Sequence, residues 1–302
     1  MLASPEGRTQ EGWTGFSVSV GAGAEILSAG VNSQASRTDD LGICLDETCE
    51  GAGILSVASL EQSVSSRYDD LSDSGFFGSV GLAYDRQFGA RWVAGAFVDG
   101  DLPTSVEAKA DQTDTTNFGL SVPDGSDDSP NFNETIGGST VKTQVELDSM
   151  ISVGGRLGWL ATPNTLLYAL ASYTHAELSD PRIDVQFADP GPFFGEIFSG
   201  VALNAPTAFS VRLPDSLDGF SLGGGVENKI AGPWSLKFEY RWTHLEGTKG
   251  SSRDNEFECC STPADSGDLN VGRRITTSGT ASLDADIQAV KAAVVYRFAS
   301  GS

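Results

Sequence analysis

No stretch of this 302-residue chain approaches the roughly 20 consecutive apolar residues that a membrane helix needs. That excludes a helical membrane protein and leaves either a soluble fold or a β-barrel, which crosses a bilayer with alternating strands. Basic residues are scarce: 19 Lys and Arg stand against 41 Asp and Glu, a formal net charge of −22. Nucleic-acid binding needs the opposite balance, so no nucleic-acid partner is expected. The chain has four cysteines and no CxxC spacing, which removes the zinc-ribbon class. The cysteines come as two close pairs, Cys44 with Cys49 and Cys259 with Cys260, and suit a disulfide-permissive compartment. The two histidines, His175 and His244, leave little material for imidazole chemistry. Met1-Leu2-Ala3-Ser4 leads into polar sequence with no apolar h-region, so no signal peptide is read there.

What the chain does contain is period-2 alternation. Trp234, Leu236, Phe238, Tyr240 and Trp242 alternate with Ser235, Lys237, Glu239, Arg241 and Thr243, which gives a strand with one bulky apolar face and one charged face. Ahead of it, Phe220, Leu222, Gly224 and Val226 alternate with Ser221, Gly223, Gly225 and Glu227. Ala231-Gly232-Pro233 joins the two as a tight turn. Both signs of charge share the polar face with small residues between them. This fits the crowded inside of a narrow barrel whose greasy face looks out to lipid.

The same pattern recurs over residues 13–26, 75–88, 91–102, 145–160, 165–178, 219–230, 234–245 and 284–298. Three short turns and four long polar segments join these eight stretches in strict alternation. The expectation is a single all-β domain over 1–302. It is an eight-stranded antiparallel up-and-down transmembrane barrel with three short periplasmic turns and four long extracellular loops. Phe88, Trp92, Trp159, Trp234, Tyr296 and Phe298 gather at the short-turn end as an interfacial aromatic belt. Parity in 165–178 is blurred by Leu166-Leu167. Glu177 is taken to set Tyr173 inward and Tyr168 and Leu170 outward.

These segments resemble a known family. Gly12-Trp13-Thr14-Gly15-Phe16 looks like its opening pattern. Gly154-Gly155-Arg156-Leu157-Gly158-Trp159 followed by Thr165-Leu166-Leu167-Tyr168 is similar to its central region. Gly223-Gly224-Gly225-Val226-Glu227 with Trp234-Ser235-Leu236-Lys237-Phe238-Glu239-Tyr240 resembles its hairpin, and Tyr296-Arg297-Phe298 its end. The family is the outer-membrane immunogenic, porin-like small β-barrels of alphaproteobacteria, related in fold to the OmpA transmembrane domain. The resemblance covers the eight strands and not the loops. It implies the outer membrane of a Gram-negative bacterium and a cell-surface setting.

Alternation places a charge network inside the barrel: Glu25, Asp85, Asp99, Asp101, Glu146, Asp148, Glu177, Glu227 and Glu239 with Arg91, Arg156, Lys229, Lys237, Arg241, Lys291 and Arg297. An eight-strand interior is just wide enough for side chains to fill it, and isolated charges there are costly. The expectation is therefore an ion-paired plug, with a narrow porin-like channel for small solutes as the alternative. The four polar segments hold 27 of the 41 acids with ten bases, about −17 of the net −22. They carry no DxDxDG-type loop, so no specific cofactor is expected, only loosely held divalent cations. Cys44, Cys49, Cys259 and Cys260 are disulfide candidates whose connectivity stays open. The expected role is structural or surface interaction, not enzymatic. The expected partners are outer-membrane lipid and lipopolysaccharide, with a homo-oligomer or a surface protein left open. A lipid-A-modifying enzyme, which would pair a histidine with Ser and an acid, is a further and weaker alternative.

Overall fold

The computed structural model describes residues 12–44, 54–103, 106–121, 131–188, 208–260 and 271–298. The described residues form ten antiparallel strands and no helix: β1 (Gly15–Cys44), β2 (Ile54–Phe88), β3 (Trp92–Pro103), β4 (Val106–Ser121), β5 (Asn131–Thr162), β6 (Thr165–Gln186), β7 (Ala208–Arg212), β8 (Ser216–Ala231), β9 (Trp234–Cys260) and β10 (Val271–Arg297). Eight of them close a ring in the order β1-β2-β3-β5-β6-β8-β9-β10, and β10 pairs back onto β1. The other two are continuations. β4 follows β3 along the same line of the wall, between β2 and β5. β7 precedes β8 and pairs with the far part of β6. Three tight turns mark one end, and Gly89 and Gly232 supply the positive φ that two of them need.

The strands run far past the eight stretches expected. Most of what reads as polar loop is strand: β1 continues to Cys44, β2 starts at Ile54, and β9 and β10 pair from Thr248↔Leu283 out to Cys260↔Val271. The reason is that alternation persists in these segments while its chemistry reverses. Near the turns, outward positions are large and apolar, including Phe16, Val20, Leu82, Trp92, Leu157, Phe238 and Val294, all exposed. Farther out the apolar side chains are inside. Leu27, Val31, Leu147, Ile183, Phe187, Leu283 and Ile287 form one buried cluster, while Asn32, Gln34, Ser36, Ser63 and Ser65 face out. On β1 the parity holds from Gly15 to Asp39. Odd positions there point inward, and the composition switches between Glu25 and Leu27.

On β5 and β6 the parity itself slips. A register shift between Leu147 and Ser149 turns Val145 and Leu147 inward, and Glu146 and Asp148 leave the interior. On β6 the slip falls at Asp180, whose φ is 43°. Even positions through Leu178 are buried before it, and Pro181, Ile183, Val185 and Phe187 after it.

Candidate functional site in the charged barrel interior

Two charged layers fill the section nearest the turns. In the first, β5 supplies Arg156, β2 Asp85, β8 Glu227 and β10 Arg297. Arg156 donates to both Asp85 oxygens, Nε at 2.9 Å and Nη2 at 2.5 Å, a bidentate pairing. Arg156 also reaches Glu227 at 3.3 Å, and Arg297 reaches Asp85 at 2.8 Å and Glu227 at 3.1 Å. Two guanidinium groups and two carboxylates thus close a neutral ring, and both carboxylates are wholly buried.

The second layer draws on β3, β9 and β10. Arg241 Nη2 donates to Asp99 at 2.5 Å and to Glu239 at 2.7 Å. Lys291 Nζ lies 3.5–3.6 Å from Asp101, Asp99 and Glu239, and Lys237 lies 3.9 Å from Glu239. The Tyr168 hydroxyl donates to Glu239 at 2.8 Å, and the Tyr168 ring lies under Arg156, so this residue ties the two layers together. Gly225 makes room for it: a Cβ there would sit 2.6 Å from the Tyr168 hydroxyl. The cavity left between the layers is about 20 Å³, space for about one water molecule.

Each end of the charged zone is stoppered. At the turn end Trp13 is 1 % exposed. Its indole N–H donates to the Pro163 carbonyl at 3.2 Å, and Arg297 and Lys229 stand against its ring. At the other end a row of buried hydroxyls, Ser152, Thr174, Ser221 and Thr243, is hydrogen-bonded across four strands at 2.9, 2.6 and 2.7 Å. The apolar cluster lies beyond this row. Beyond that again, buried Asp39 receives Arg37 and Arg273, both at 3.1 Å.

Of the sixteen charged residues expected inside, the structure places eleven there: Glu25, Asp85, Asp99, Asp101, Arg156, Glu227, Lys237, Glu239, Arg241, Lys291 and Arg297. Five lie elsewhere. Glu146 and Asp148 face out because of the β5 register shift. Glu177 is exposed and accepts from Ser149 at 3.1 Å. Arg91 sits in a turn with its guanidinium over Trp159, and Lys229 lies at the rim against Trp13. Parity on β6 is the reverse of that drawn from Glu177: Tyr168 and Leu170 are buried and Tyr173 is 55 % exposed. Tyr168, Trp13 and the Arg37–Asp39–Arg273 group were not read from the sequence. The last had a usable signal, since inward positions on β1 continue at odd numbers through Arg37 and Asp39.

The histidines belong to the outer wall. His175 Nδ1 lies 2.7 Å from Asp218, which also accepts from Tyr173, and His244 Nδ1 lies 2.9 Å from Asp286. Cys44 ends β1 and Cys259–Cys260 end β9, with the start of β10 paired between those strands; Cys49 lies outside the described residues.

No family model and no curated protein matches the sequence. Among solved structures the chain is similar to the outer membrane protease OmpT from Escherichia coli, at 10 % identity and a TM-score of 0.39. That alignment covers 93 % of this chain and 97 % of that one. The outer membrane protein OprG from Pseudomonas aeruginosa aligns at 11 % identity and a TM-score of 0.33, covering 96 % and 99 %. Ail, the attachment invasion locus protein of Yersinia pestis, solved with the heparin analogue sucrose octasulfate, aligns at 11 % identity and a TM-score of 0.24, covering 86 % and 98 %. These overlaps are loose, and the eight-strand ring rests on the strand pairing of this chain itself.

Proposed function

We propose that this chain is an outer-membrane β-barrel of a Gram-negative bacterium that holds an acidic, hydroxyl-rich surface well outside the lipid. The observation that carries this reading is the inversion around the turn end. There the wall turns Phe, Trp, Leu and Val outward and buries Asp, Glu, Arg and Lys. Only a solvent poorer in dipoles than the interior makes that arrangement favourable, and lipid is such a solvent.

The role is structural or interactive, not conductive. Trp13, the paired charges and the apolar cluster fill the bore in succession, which supports a plug over a solute path. The resemblance to alphaproteobacterial immunogenic barrels fits this role. Lipopolysaccharide, whose phosphates acidic residues meet through divalent cations, and a surface protein or a second copy are the proposed partners. A disulfide among Cys44, Cys49, Cys259 and Cys260 is proposed to fasten the outer end.

The test uses the tryptophans. In vesicles containing brominated lipid, the fluorescence of Trp92, Trp159 and Trp234 is expected to be quenched, with Trp13 protected inside the barrel. Single-tryptophan variants separate them. Protection of all four would remove the membrane reading. In planar bilayers the protein is expected to be silent, and steady conductance would move the channel reading ahead.

A further inference from the structure

In the section nearest the turns the interior charges close on one another with one residue left over. Five carboxylates (Asp85, Asp99, Asp101, Glu227 and Glu239) engage five bases (Arg156, Lys237, Arg241, Lys291 and Arg297). Glu25 is the sixth carboxylate. It is 1 % exposed, and neither of its oxygens has a hydrogen-bond partner.

Its surroundings explain why. On its own strand the next inward residues are Gly23 and Leu27. On the paired strands Gly75 and Ala289 stand opposite it, and the Phe77 ring lies against Gly23. Charged groups face this region from four elements besides β1. β3 brings Asp99 and Asp101, β9 brings Glu239 and Arg241, and β10 brings Lys291. β2 brings Asp73, a further carboxylate, which accepts from the Glu107 N–H at 2.9 Å. Lys291, the base on the strand next to Glu25, is already shared by three carboxylates. Arg37 stands twelve residues farther along β1, about 40 Å of strand away and beyond the apolar cluster. Among the described residues no group supplies the missing charge, and an uncompensated carboxylate buried at this depth is strongly unfavourable.

We infer that Glu25 is a binding site for one unit of positive charge taken from solution. Two sources share that chemistry: a proton on the carboxyl, or an alkali-metal ion held against the carboxylate. The inference rests on the interior being closed, as proposed above. A barrel that conducts steadily loses both readings, whereas a silent barrel in which Glu25 is indifferent to both sources loses this one alone.

Two measurements on the full chain refolded in detergent micelles separate the sources. The infrared spectrum reports a protonated carboxyl carbonyl. The thermal midpoint, followed while sodium chloride replaces choline chloride at constant ionic strength, reports an alkali ion. Wild type is expected to show one of the two signals: a carboxylic-acid carbonyl band at neutral pH, or a midpoint that rises with sodium. Glu25→Gln, which keeps the shape and removes the charge, is expected to fold and to lose that signal. If wild type shows neither signal, the inference fails without any variant. It also fails if Glu25→Gln keeps the signal. Loss of folding in Glu25→Gln would mean that the full charge of Glu25 is matched inside the barrel, which overturns it equally.

Discussion

Glu239 is the most connected side chain of the interior. It meets Arg241, Lys291 and Lys237 and receives the Tyr168 hydroxyl. Deleting one partner of a buried ion pair typically costs about 3–5 kcal/mol, because the remaining charge is left in a medium that cannot solvate it. Glu239→Ala is therefore expected to lower barrel stability by about that amount in urea unfolding, against a small change for Asp254→Ala on the exposed part of β9. Tyr168→Phe removes one hydrogen bond to a charged group and should cost less, about 1.5–3 kcal/mol. The charged faces of β9 and β10 were legible because Lys237, Glu239 and Arg241 interrupt an otherwise unbroken apolar alternation. Tyr168 was not legible. Leu166 and Leu167 are adjacent and equally apolar, so nothing local says which of them faces in, and the exposed Glu177 pointed the wrong way. What decides is the partner across the bore, and one strand read alone does not contain it.

At the scale of the element, the informative residues are those where a strand changes which face it shows. Asp180 takes a left-handed backbone conformation, φ 43°, at the point where β6 moves its buried set from even to odd positions. Aspartate tolerates that region and β-branched residues do not, at roughly 1–2 kcal/mol. Asp180→Val is expected to destabilise the barrel by about that amount in denaturant unfolding, and Asp180→Gly to be close to neutral. Equal effects for the two would show that the slip is held by the rest of the strand. The strand ends were misread for a related reason. In 27–35, 60–68 and 275–283 most inward residues are apolar, with Ser33, Gln62, Ser66 and Thr277 among them, and the outward ones are mostly polar, which by composition resembles loop. The alternation is present, but with sides exchanged relative to the segment before it. A reading that fixes one face as apolar stops where the faces trade places.

On the membrane reading proposed above, the whole molecule meets two solvents along one set of strands, and substitutions should sort by height as much as by face. Val294→Lys, on the exposed apolar wall, is expected to cost about 2–4 kcal/mol in folding into vesicles. Ser65→Lys, on the exposed polar wall, should be nearly neutral, and Leu283→Lys, in the apolar cluster, should prevent cooperative folding. If Val294→Lys is as harmless as Ser65→Lys, the lower wall does not face lipid. The unbroken length of the strands has a mechanical consequence. β2 is 35 residues long, on the order of 110 Å of extended chain, and crossing a lipid band about 25 Å thick at a 45° tilt uses roughly 35 Å of it. On that reading the rest stands clear of the lipid as a post whose walls are the membrane-crossing strands themselves. A pull on its tip, directed along the strands, loads the rungs between β1 and β10 from Val271 to Arg297 together in shear. A tip carried on separate flexible loops would peel away one contact at a time. Whatever the tip holds, it holds at a fixed height and against a stiff support.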